Sequence, residues 1–106
     1  MTIITICGDP FKQESEITYI AERMTCSGEY CVLTPVVPFI KKPGNLGYTP
    51  AEIGNINEVH RKKIKLSDAI LVMDTNANDA EKYWIEYAKR HQKQVLYYSQ
   101  EIHNWR

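Results

Sequence analysis

The 106-residue sequence carries no excess of either charge, since 13 Lys and Arg balance 13 Asp and Glu. A protein that grips a nucleic-acid backbone needs a positive surplus, so no nucleic-acid role is expected. The one basic run, His60-Arg61-Lys62-Lys63 with Lys65, reads as the solvated face of a helix. Long apolar runs are also missing. The apolar start "MTIITIC" breaks at Gly8-Asp9-Pro10. A secretory signal needs a longer apolar region, and a membrane span needs about 20 apolar residues. A cytoplasmic protein with no membrane association is therefore expected. Cysteine is scarce and odd in number. Cys7, Cys26 and Cys31 show no metal-ligand spacing, so neither a disulfide framework nor a metal centre is expected. All three read as buried free thiols. There is no internal repeat and no low-complexity tract.

What is present alternates. "TIITIC" (2–7) is β-branched and apolar, as in a strand buried on both faces. Gly8 turns the chain, Asp9 can cap a helix and Pro10 fits its first position, with the helix running to about Cys26 and stopping at Gly28. "YCVLT" (30–34) is a second strand. Residues 35–48, rich in Pro and Gly, form a long loop that could cover a site or be a structural excursion. "TPAE" (49–52) carries a capping box, and Ile53, Ile56, His60 and Ile64 then share one helix face. "AILVM" (69–73) is a third strand, "NDAEKYWIEYAKRHQK" (78–93) a helix and "QVLYY" (94–98) a fourth strand.

Strands alternating with helices imply a single α/β domain over residues 1–106, a flavodoxin-like three-layer sandwich. Its parallel sheet has four strands in the order 2-1-3-4, or five if the tail adds one. In such a sheet a ligand binds beyond the carboxyl ends of the strands, where the order reverses. That predicts a site from Gly8 and Asp9 after the first strand, Asp74 and Asn76 after the third, and Asn78 and Asp79 at the next helix start.

Three segments, "TICGD" (5–9), "HRKKIKLSDAILVMD" (60–74) and "WIEYAKRHQKQVLYY" (84–98), together resemble the small nucleoside 2-deoxyribosyltransferase-like proteins. The resemblance covers nearly the whole chain and is weakest over 27–50. It implies chemistry at an N-glycosidic bond, no cofactor, a nucleoside- or nucleotide-like ligand and a homo-oligomer. In that family a glutamate directly before Ile-x-Tyr-Ala attacks C1′ of a deoxyribose. Here that position, before Ile85-Glu86-Tyr87-Ala88, is Trp84.

Glu86 cannot replace the missing carboxylate, because two positions along a helix rotate a side chain by about 200°. Asn78 and Glu81 are spaced as a capping pair, and Asp79 sits where the helix dipole favours an acid. Caps and dipole partners are their expected roles, with a relocated nucleophile among Asp79, Glu81 or Asp9 the alternative. Trp84 fits a core stripe with Ala80, Tyr83, Tyr87 and Ala88, either filling the sugar space or stacking on a ligand. Asp9 would compete with a phosphate for the same N–H groups. The His60 and Asp68 positions match the family, His60 as a hydrogen-bonded core histidine that can reach the site and Asp68 as a turn former. The expected function is binding of a nucleoside- or nucleotide-derived ligand, at Gly8, Asp9, His60, Asp74, Asn76, Asn78 and Trp84, with catalysis lost or much altered. An active N-glycosidic-bond enzyme and an interaction module with a filled pocket are the alternatives.

Overall fold

The computed structural model describes residues 1–36, 47–73 and 79–105. Its elements are β1 (Thr2–Cys7), α1 (Glu14–Cys26), β2 (Tyr30–Leu33), α2 (Pro50–Leu66), β3 (Ala69–Val72), α3 (Asp79–Arg90), β4 (Gln94–Tyr97) and α4 (Tyr98–Glu101), followed by a 3₁₀ turn at Ile102–Asn104. The four strands form one parallel sheet in the order β2-β1-β3-β4. Helices cover both faces, as in flavodoxin-like proteins. Among the described residues there is no fifth strand, because the tail turns helical at Tyr98. No described helix is long and apolar enough to cross a membrane.

Strand alternation divides the core. Ile4, Ile6, Ala69 and Leu71 face one way, onto Ile17, Ile20 and Met24 of α1. Cys7, Ile70 and Val72 face the other way, onto Ile64 of α2 and Tyr87 and Ala88 of α3. Both faces must be apolar because each is covered. The tail closes the α1 side. Trp105 meets the Tyr30 ring edge-on at 5.9 Å, and its carbonyl accepts a hydrogen bond from Tyr19 Oη at 2.9 Å. The aromatic tail therefore packs on its own domain.

The expected capping box is formed. Thr49 Oγ1 accepts from the Glu52 N–H, and Glu52 Oε1 accepts from the Thr49 N–H. Two expectations are corrected. First, α1 begins at Glu14 and not at Pro10. Asp9 Oδ1 accepts from the N–H groups of Phe11 (2.9 Å) and Lys12 (3.4 Å), while Gln13 Oε1 accepts from the Asp9 N–H (3.0 Å). These local bonds hold residues 9–13 as a separate turn, which competes with helix. Second, only Cys7 is buried. Cys26, two residues past the buried Met24, and Cys31, on the outermost strand, are exposed.

Asp68 does more than form a turn. Its Oδ2 accepts from the Ile3 N–H at 2.8 Å, and its own N–H donates to the Ile3 carbonyl at 2.7 Å. At the other end of the same strand pair, the Met73 N–H donates to the Cys7 carbonyl. Gly8 permits the close approach there. A Cβ on Gly8 would lie 2.6 Å from Met73 Cγ and 2.9 Å from Met73 Cβ. The Gly8→Ala variant should lose about 1–3 kcal/mol of stability in urea unfolding, the range for overpacking a filled site.

Two of the helix stops use the left-handed region. Gly28 (φ 76°) ends α1. Gln92 (φ 59°) ends α3, its N–H donating to the Lys89 carbonyl while the Lys93 N–H donates to that of Ala88. This is a Schellman arrangement with glutamine where glycine costs least. Gln92→Gly should raise stability by about 1 kcal/mol in the same measurement. No gain would mean that the Gln92 side chain holds the turn.

Candidate functional site

The carboxyl ends of β1 and β3 lie side by side, with Cys7 opposite Val72. From there β1 feeds α1 on one face and β3 feeds α3 on the other. The chain diverges at this point and leaves a crevice. A cavity of about 310 Å³ occupies it. Its floor is Gly8 and Asp9, with Pro10 and Phe11 beside them. One wall is α2, through Ile56, Asn57, His60 and Lys63, and the other is α3, through Ala80, Glu81 and Trp84. Pro35 and Val36 close one side. The predicted residues Gly8, Asp9, His60, Glu81 and Trp84 are thus brought together. Asp74, Asn76, Asn78 and the Asp79 side chain lie outside the described residues, as does most of the 35–48 loop.

Trp84 is a wall and not a plug. Its half-buried indole meets the His60 ring edge-on at 4.5 Å and the Tyr83 ring at 4.9 Å. A second hollow of about 350 Å³, lined by Asn57, Arg61, Ala80, Tyr83 and Trp84, lies alongside. The expected α3 stripe needs correcting. Tyr83 is 43% exposed, with the Arg61 guanidinium 5.9 Å from its ring centre. Glu81 is 3% exposed instead. Glu81, Trp84, Ile85 and Ala88 fall at i, i+3, i+4 and i+7, so the inward face of α3 carries a carboxylate. Glu86 is exposed on the far side, as the rotation requires.

Because α3 starts at the carboxyl edge of the sheet, Glu81 lies about 4.5 Å nearer that edge than Trp84. Glu81 thus sets a carboxylate one turn before Trp84 on the same face. The sequence left this as the alternative reading, since an acid three residues into a helix looks like a cap.

His60 is buried on α2, with Nε2 3.4 Å from Cys7 Sγ. Burial, and then the nearby Lys63 charge, push its pKa down to about 4. His60 is a neutral ring at physiological pH, able to donate from one nitrogen and accept at the other. Burial, and then the negative charge of Glu81, push the Cys7 thiol well up, so Cys7 is not a nucleophile at neutral pH. Lys63 was not expected here. It lies one turn after His60 on the same face, the spacing that would have revealed it. Its Nζ donates to the Thr34 carbonyl at 2.8 Å, fastening α2 to the end of β2. Among the described residues no group of three His, Cys, Asp or Glu side chains is placed to hold a metal ion.

No family model matches the chain, and no curated protein matches it either.

The His60 environment has a signed consequence for stability. In the folded chain the ring stays neutral down to about pH 4, whereas its ordinary pKa is 6.5. Between those values the unfolded chain binds more protons, so stability falls as pH falls. Acidification from pH 7 to below 4 should cost about 3 kcal/mol through this residue. Urea unfolding at both pH values, compared with His60→Gln, should show a smaller acid loss in the variant. Equal losses would place the acid sensitivity elsewhere.

Proposed function

We propose that this chain is a nucleoside 2-deoxyribosyltransferase-like protein that binds a nucleoside- or nucleotide-derived ligand and has lost the glutamate-dependent reaction of that family. The supporting observation is the cavity itself, open at the switch point of the sheet with Trp84 as one wall. Its volume of about 310 Å³ falls at the lower end of the range for small-molecule pockets. An indole face offers stacking, and the carboxylates of Asp9 and Glu81 offer acceptors for hydroxyl or amino groups. The bond-breaking step needs a carboxylate in contact with the anomeric carbon, and an indole cannot form the glycosyl intermediate. A cytoplasmic location and assembly into a homo-oligomer belong to the same reading.

One observation favours a second reading. Glu81 is buried in the cavity, one helical turn from the position of the missing glutamate. It could serve as a relocated nucleophile in an N-glycosidic-bond hydrolase or transferase.

The two tryptophans separate the tests. Trp105 packs on the α1 side of the sheet and Trp84 on the α2–α3 side. In Trp105→Phe, a deoxynucleoside should quench the remaining fluorescence saturably, and an unchanged spectrum would sink the binding reading. Chromatography should detect no base release from deoxynucleosides, their monophosphates or NAD. Release that disappears in Glu81→Gln would establish the second reading in place of the first.

A further inference from the structure

We infer that the cavity takes its ligand without a phosphate group, as a nucleoside and not a nucleotide. The inference rests on the nucleoside reading above and narrows it. In βα units an anion is bound where a turn after the strand directs free N–H groups at it. Here those groups follow β1, and they are occupied. Asp9 Oδ1 accepts from both Phe11 and Lys12, and Gln13 Oε1 accepts from the Asp9 N–H. The protein has placed its own anion, and a side-chain amide oxygen, on the donors that a phosphate would use.

The charges around the cavity agree. Its described lining holds two carboxylates, Asp9 and Glu81, against one ammonium, Lys63. The Lys63 Nζ keeps its charge and commits one of its three donors to the Thr34 carbonyl. The His60 ring contributes no charge at neutral pH. A phosphate dianion entering here would meet two carboxylates against a single ammonium. A sugar hydroxyl meets the opposite situation. The Phe11 and Lys12 amides use Asp9 Oδ1, and Asp9 Oδ2 is the acceptor that can take it.

The test compares three probes on the full chain: 2′-deoxyadenosine, its 5′-monophosphate and inorganic phosphate. Binding is followed by calorimetry and by the amide resonances of Asp9, Phe11 and Lys12. The wild-type chain should bind the nucleoside at least tenfold more tightly than the monophosphate. Inorganic phosphate should move none of the three amides saturably. Asp9→Ala, which frees the donors and removes the charge, should bind the monophosphate at least tenfold better than wild type and show saturable shifts with inorganic phosphate. Asp9→Asn keeps the acceptor and removes only the charge, so it should recover part of that gain. The inference is overturned if the wild-type chain binds the monophosphate as tightly as the nucleoside, or if inorganic phosphate saturates the Phe11 and Lys12 amides. It is also overturned if neither Asp9 variant gains phosphate affinity. Should neither nucleoside nor monophosphate bind while Asp9→Ala alone takes inorganic phosphate, the nucleoside reading fails and the exclusion of phosphate stands.

Discussion

The pairing of β1 with β3 is the constraint on which the rest of the molecule depends. It is locked at its lower end by the two-way bond between Ile3 and Asp68, and at its upper end by the Met73 N–H on the Cys7 carbonyl. The register in between puts Ile4 beside Ala69 and Cys7 beside Val72. Every buried contact on either face is counted from that register, since a shift of one residue would turn each strand's apolar set over. The closeness of the two chains at Gly8 and Met73 also sets the floor of the cavity. Fold and site therefore share one joint.

Around that joint the site is built in opposites. α2 supplies a histidine kept neutral and a lysine that also holds the Thr34 carbonyl. α3 supplies an indole and a buried carboxylate. The β1–α1 turn supplies a second carboxylate that occupies its own amides. A surface with two carboxylates and one ammonium attracts hydrogen-bond donors more than anions. Burial also silences the Cys7 thiol, so the described chemistry of the crevice is carried by oxygen and nitrogen.

The sheet was the most legible feature because its evidence is redundant. Four β-branched or apolar segments, separated by helices with their own caps, leave few alternatives to a parallel order of 2-1-3-4. His60 was legible from its apolar face and Trp84 from its place before Ile85-Glu86-Tyr87-Ala88. Glu81 was legible only as the alternative to a cap, because an acid in the first turn of a helix has an ordinary role there and packing decides that this one points inward. The start of α1 was misplaced for a related reason. Asp9 and Pro10 are good opening residues for a helix, but the side chains of Asp9 and Gln13 bind the backbone first. The exposure of Cys26 and Cys31 depends on which side of α1 and which edge of the sheet they occupy, and residue type alone carries neither fact.

The position of β1 in the sheet has a consequence for the order of folding. β1 is an inner strand whose neighbours are β2, begun at residue 30, and β3, begun at residue 69. Ile3 must wait for Asp68, 65 residues later, before the joint can close. A chain emerging from the ribosome can dock β1, α1 and β2 early, as a local unit with one apolar face still open. That face stays uncovered until α2, β3 and α3 arrive. Closure over so long a separation is slow relative to local pairing, so residues 2–33 wait with one apolar face uncovered.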